Sequence, residues 1–285
     1  MNAAQLGIAG VGLIGGSIAL RARATRTTVI GYDRDAATLA CALEHGSIDA
    51  AAPDLAALAR SCETLVIALP VDATRDALAA LAGSPGPALV IDVASVKAVL
   101  VEPGSRVSNY VGTHPMAGRE QSGLDFADAE LFANATWAHS PHPDAALVAR
   151  TRAFIARMGA VPLEIEPQLH DTIVALTSHL PQVLAVVLGA ELAAAARVDE
   201  RVTELCGPGM MTMLRLARSP ESMWAPIVAA NAEPIAGRVR SMARELEAAA
   251  AALERGESAR LMAYFARARE AVDDLEERFS PRPRS

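Results

Sequence analysis

Apolar and polar positions follow two regimes along this chain, and the change between them comes near residue 166. In the first regime, short β-branched runs read as strands: QLGIAG, TTVIGY, TLVIAL, ALVIDV, RVSNYVG, ATWAHS and AVPLEIE. Amphipathic stretches such as 35–44, 72–81 and 143–158 separate most of them. That alternation predicts βαβ units and a doubly wound, mostly parallel sheet, an α/β Rossmann-type domain over 1–166. From 171 to 278 the pattern is almost entirely helical, with breaks at 207–209, Ser219–Pro220 and Gly256. An all-α domain is therefore expected over 167–285. Ser219, Pro220 and Glu221 fit an N-cap followed by a first-turn proline. Ile235, Val239, Met242, Leu246, Ala249 and Leu253 recur at spacings of three and four, an apolar seam that belongs either in the domain's own core or at a subunit interface. The terminal SPRPRS is too short and proline-rich to pack.

Composition narrows the partners. With 285 residues, 52% of them hydrophobic, a sizeable core can be buried. A formal charge of −7 lacks the cationic surface that phosphate backbones require, so small molecules rather than nucleic acid are expected. Cys41, Cys62 and Cys206 are odd in number and show no ligand spacing, which suggests a reducing compartment, the cytoplasm, and no metal site. The N-terminus is apolar but glycine-rich, lacks a basic leader and runs into charge from Arg21, so neither signal peptide nor membrane span is expected.

Gly10-Val-Gly12-Leu13-Ile14-Gly15 follows the first strand and opens the first helix. In a dinucleotide site such glycines make the tight turn, admit the pyrophosphate and let the helix pack closely on the strand, with the phosphates at the helix N-terminus. Asp33 ends the second strand, eighteen residues beyond Gly15, and is placed to hold a ribose 2′-hydroxyl, which favours NAD over NADP. Arg34 beside it could accommodate a 2′-phosphate.

Two further segments fall at strand carboxyl ends, where parallel sheets place their ligands: Asp92-Val-Ala-Ser95-Val-Lys97 and Gly112-Thr113-His114-Pro115-Met116-Ala117-Gly118. His114 can titrate near neutral pH, and it is the best general-base candidate in the chain. In the helical domain, His170 and His179 stand nine residues apart, about half a revolution on a straight α-helix, and can share a pocket only if His170 sits at the helix start or Pro181 distorts the helix. Ser178 and Gln182 share a face. Arg215, in an apolar setting, has the planar fork that suits a carboxylate, or alternatively a helix cap or ion pair. Trp224 reads as core. His45, His139 and His142 read as solvated histidines at element ends.

Taken together, GxGLIGGS, DxxSVK, GTHPMAGRExSG, HD…TSHLP and SPESMW, in that order over almost the whole chain, resemble the prephenate/arogenate dehydrogenases. GTHPMAG followed by SHLP is the specific part. The resemblance implies a Rossmann domain, a helical homodimerisation domain and an oxidative decarboxylation in tyrosine biosynthesis. His114 would accept the ring-hydroxyl proton as hydride leaves the same carbon for NAD, with Ser95 orienting hydroxyl and base. Arg215 would bind a substrate carboxylate. His170, Ser178 and His179 would line the pocket, with Trp224 in support. Where many members read SHLPH this chain has Gln182, and where many read FRDxTR it has Met210 to Arg215, with Thr212 in place of the acid. Losing that acid removes one ammonium partner and leans the reading toward prephenate over arogenate, or over dual cyclohexadienyl specificity. No appended regulatory or mutase domain is expected. Two other classes compete. The β-hydroxyacid dehydrogenases and imine reductases also pair a Rossmann domain with a helical dimer domain, but many of the former use a lysine of the second domain as the acid–base group, and none follows Lys97. A cofactor sensor without catalysis would not need both His114 and Arg215.

Overall fold

The computed structural model describes residues 5–84, 86–118 and 121–279. The terminal SPRPRS and the Arg119–Glu120 pair of the GTHPMAGRE motif lie outside them. Two compact units divide at Ala232/Glu233.

In the first unit six strands form an all-parallel sheet in the order β3-β2-β1-β4-β5-β6. They are β1 (Gln5–Ala9), β2 (Thr28–Tyr32), β3 (Ala50–Ala51), β4 (Thr64–Ile67), β5 (Leu89–Asp92) and β6 (Tyr110–Val111). This is the order of a dinucleotide-binding fold, whose ligand crevice opens where the winding reverses, here between β1 and β4. Helices cover both faces. On one, α1 (Leu13–Ala24) and α2 (Ala36–Glu44) enclose Ile8, Ile18, Val29 and Ala42. On the other, α3 (Leu55–Arg60), α4 (Val71–Leu81) and the short α5 (Val101–Gly104) accompany Leu58, Leu65, Ile67, Leu78 and Leu100. Asp35 caps α2 through the Ala37 N–H and Asp54 caps α3 through the Ala57 N–H, at 3.0 and 2.7 Å.

The strand pattern after β6 resolves into a second, mixed sheet of β7 (Thr113–Pro115), β8 (Thr136–His139) and β9 (Val161–Glu164), with β7 antiparallel to β8 and β8 parallel to β9. Only Gly112 separates β6 from β7, so the chain leaves one sheet and enters another at the residue before Thr113-His114. α6 (Ala145–Arg157), capped by Asp144, joins β8 to β9 and buries Phe154 and Ile155 against Trp137 and Phe132.

The helical run then begins with α7 (Pro167–Val174), a π turn (Ala175–His179) and α8 (Leu180–Val198). Pro181 accounts for the π turn: it has no N–H, and its ring collides with the carbonyl four residues back, so the α ladder must widen there. By length and composition this 32-residue run could cross a membrane. In the fold its Asp171 carboxylate accepts the backbone N–H groups of Lys97 and Ala98, in the loop after β5. Short helices α9 (Arg201–Glu204) and α10 (Pro208–Leu214), a 3-10 turn (Arg215–Arg218) and α11 (Glu221–Ala230) complete the unit. The cap of α11 is Pro220 rather than Ser219, which instead closes the preceding 3-10 turn with extended backbone.

In the second unit, α12 (Ala232–Glu254), whose first residue still belongs to the first unit, is followed by α13 (Ser258–Phe279). Of the predicted seam, Ile235 is buried, whereas Leu246 and Leu253 stand 59% and 64% exposed. These two are therefore not core residues of a single copy.

Candidate active site

The glycine loop has the strict geometry its sequence implies. Gly10 adopts φ +92°, and a Cβ there would lie 2.3 Å from the Ala68 carbonyl oxygen; a Cβ on Gly15 would lie 1.9 Å from the carbonyl oxygen of Gly10. Gly12, by contrast, faces open space, where a pyrophosphate can approach the backbone. Leu13 and Ile14 begin α1, whose first turn has no acidic residue and no side-chain cap, so its N–H groups are left for an anion. The residues present thus fit a dinucleotide. Asp33 stands at the β2 end of this loop. Its Oδ2 accepts the Val11 N–H at 2.9 Å and its Oδ1 accepts the Asp35 N–H at 3.0 Å. The carboxylate therefore sews loop to strand and keeps lone pairs that neither bond uses. Arg34 is exposed beside it.

Beneath the site lies a buried polar knot that sequence reasoning passed over. Asp92, fully buried at the end of β5, pairs with Lys97 and accepts the Tyr110 hydroxyl at 2.8 Å, the Thr113 N–H at 3.0 Å and the Ala94 N–H at 2.9 Å. Lys97 also donates to the Thr113 carbonyl at 2.7 Å, and the Trp137 indole donates to Thr113 Oγ1 at 2.9 Å. Burial pulls the Lys97 ammonium below its ordinary pKa, and the Asp92 charge works against that fall. The knot fixes both the 92–98 loop, which carries half-buried Ser95, and the start of β7. It also occupies the chain's sole lysine, so no lysine is free for acid–base work.

His114 lies on β7 rather than in a free loop, in register with Ala138 of β8. Its Nδ1 is 2.9 Å from Nε2 of His170 on α7, and the rings meet edge to face. The hydroxyl of Ser95 is not hydrogen-bonded to His114. Burial holds the His114 imidazole well below the usual histidine range, and the neighbouring His170, Lys97 and His179 push the same way. It is therefore unprotonated at neutral pH and able to accept a proton.

The π turn brings His170 and His179 closer to one side of the helical run. A π turn adds one residue to the helix, so positions nine apart behave as eight apart and diverge by about 80° instead of about 180°. Both are buried. His179 meets the Trp224 ring edge to face at 5.7 Å between centroids, and its Nδ1 is 3.1 Å from Asn231 Nδ2. Ser178, beside it, is half-buried. Gln182 is buried one turn on and donates to the Leu216 carbonyl at 3.0 Å, tying α8 to the 3-10 turn that carries exposed Arg215. Gln182 Oε1 and the half-buried Trp224's Nε1 are both shielded from solvent without a hydrogen-bond partner.

Asp171 and Asn231 were missed. Asp171 offered a signal, an acid directly after His170 in an otherwise apolar helix. Asn231, at the break between α11 and α12, offered none. His139 also departs from expectation: it is buried in β8, with Nδ1 3.1 Å from the Ser140 carbonyl oxygen and Nε2 unpartnered.

Desolvation of His179 has a consequence for stability. Burial is the main cause that lowers its pKa to about 4, with Asp171 opposing and His170 assisting. In the unfolded chain a histidine takes its proton near the ordinary 6.5, so between pH 6.5 and 4 the unfolded state binds more protons and stability falls as pH falls. The melting temperature should drop by roughly 4–8 °C from pH 7 to pH 5, as read by thermal circular dichroism. An unchanged value would contradict the desolvation of His179.

Comparison with known proteins agrees with this geometry. Residues 17–163 match the family model of the prephenate dehydrogenase nucleotide-binding domain, and residues 166–267 that of the prephenate dehydrogenase dimerization domain. The chain is 30% identical to prephenate dehydrogenase of Bacillus subtilis over 278 residues, covering 94% of this chain and 75% of the relative. A crystal structure of prephenate dehydrogenase from A. aeolicus in complex with hydroxyphenyl propionate and NAD+ superposes with a TM-score of 0.89 at 24% identity, covering 96% of this chain and 99% of that one. Synechocystis arogenate dehydrogenase superposes with a TM-score of 0.80 at 26% identity, covering 95% and 99%. A glycine loop built for a dinucleotide, a half-buried neutral histidine on β7 and matches across both halves of the chain lead to one assignment: this protein is an oxidoreductase of the prephenate dehydrogenase family.

Proposed function

We propose that the chain is an NAD-dependent prephenate dehydrogenase that oxidatively decarboxylates prephenate to 4-hydroxyphenylpyruvate in tyrosine biosynthesis. The observation that carries this is His114, a neutral imidazole at the carboxyl end of the parallel sheet, hydrogen-bonded to a histidine of the helical layer. Bound NAD supplies the hydride acceptor. His114 takes the proton of the ring hydroxyl as the hydride leaves the same carbon. Loss of the ring carboxylate as carbon dioxide then leaves its bonding pair in the ring, which becomes aromatic, and His114 returns a proton to the ring oxygen. Once substrate is oriented, aromatisation drives the decarboxylation, so the protein's share is positioning and proton transfer.

Ser95 is assigned to orient the substrate hydroxyl and Arg215 to bind a carboxylate, with His170, Ser178, His179, Gln182 and Trp224 around the pocket. Gly10, Gly12, Leu13, Ile14 and Gly15 hold the pyrophosphate. Asp33 holds the ribose, and Arg34 lies at its edge. The domain boundary is proposed at 166/167. A homodimer through the helical region is supported by the exposed Leu246 and Leu253, and by α7 and α8, where Leu169, Ile173, Leu176, Val186 and Val187 are also exposed. Three free cysteines support the cytoplasm as compartment.

Purified protein offered prephenate and arogenate separately, each with NAD and with NADP, tests the reading through absorbance of the reduced nucleotide. Turnover of prephenate with NAD is expected. Turnover of arogenate alone would overturn the substrate, and a preference for NADP would overturn the role of Asp33.

A further inference from the structure

The two histidines that bracket the site differ in what their rings can offer, and one residue controls both. Asp171 is buried, and its carboxylate accepts three bonds: the N–H of Lys97 at 2.8 Å on Oδ1, the N–H of Ala98 at 2.8 Å on Oδ2, and His170 Nδ1 at 2.7 Å on Oδ1. An ionised carboxylate only accepts, so His170 Nδ1 carries the proton. Where His170 holds only that one proton, its Nε2 is an acceptor, and the group 2.9 Å away, His114 Nδ1, is the donor. That leaves the lone pair of His114 on Nε2.

The same residue reaches His179 by another path. The Asp171 backbone carbonyl is an acceptor, so the Asn231 atom 2.9 Å from it is the amide nitrogen. The other hydrogen of that NH₂ group points to His179 Nδ1 at 3.1 Å. Nδ1 of His179 is thus the acceptor, and its proton sits on Nε2.

We propose that Asp171 is the positioning residue of this site: through His170 it presents His114 with a bare Nε2, and through Asn231 it presents His179 with a protonated Nε2. The first takes a proton from a substrate hydroxyl and the second donates to a substrate oxygen. When His114 becomes an imidazolium, its Nδ1–H faces His170, whose own Nδ1–H faces the Asp171 charge. The inference rests on the reading of His114 as the base.

Long-range proton–nitrogen correlation spectra of the imidazoles in the full-length protein test it directly. His114→Asn and His179→Asn provide the assignments. At neutral pH the wild type should show His114 protonated at Nδ1 and His179 at Nε2. Asp171→Asn should redistribute the His114 proton, and Asn231→Ala that of His179. His170→Leu leaves both backbone bonds to Asp171 in place and serves if Asp171→Asn does not fold. It should lower kcat about 10–100-fold with NAD affinity retained. The opposite tautomers in the wild type, or wild-type turnover in a folded His170→Leu protein, would overturn the inference. An active His114→Asn protein would overturn the underlying reading instead, and is separable because it leaves the wild-type spectra as predicted.

Discussion

His114→Asn should lower turnover of prephenate by about 10²–10⁴-fold, the share of the rate that a positioned general base supplies. NAD affinity should be unchanged, because the glycine loop and Asp33 are on separate elements and share no hydrogen bond with His114. Burial keeps the native imidazole unprotonated well below pH 6.5, so the acid limb of kcat/KM for the wild type should lie below that value. Steady-state kinetics across pH, with calorimetric titration of NAD, check all three statements together. A variant that turns over within a fewfold of wild type would remove His114 from the mechanism. A limb at or above 6.5 would mean that the ring is solvated.

Asp92→Ala should cost about 3–5 kcal/mol, because it strips the counter-charge from a buried ammonium and leaves the Tyr110, Thr113 and Ala94 donors without their acceptor. Urea unfolding should show the loss as a lower midpoint with an unaltered slope. The double variant Asp92→Ala/Lys97→Met should recover part of it, since the orphaned charge is gone and an apolar stem of similar length remains. If the double variant loses as much as the two single losses added together, the two groups do not act as a pair.

Much of the site was legible because steric rules are local. Gly10 and Gly15 admit no side chain, so their spacing declared the loop, and Asp33 followed from the end of β2. Other features depend on contacts far apart in sequence. The two-residue β3, Ala50–Ala51, has no β-branched residue to announce it and exists by pairing with Ile30 and Gly31. The placing of His114 on β7 depends on β8, more than twenty residues later. Asn231 gains its meaning from Asp171, sixty residues earlier. Pro181 was a visible cue to a distorted helix, but which way the distortion turned His179 could be seen only in the fold.

The wide turn at Ala175–His179 also bears on engineering. A continuous α-helix would hold its backbone more tightly there, so selection for heat resistance alone should favour variants that both shorten this stretch by one position and replace Pro181. Such a change would swing every downstream side chain about 100° around the axis and carry His179 away from Asn231. Robustness and catalysis thus pull against each other at a single turn of helix, and stabilising effort is better spent on surface positions of α13, far along the chain from any proposed site residue.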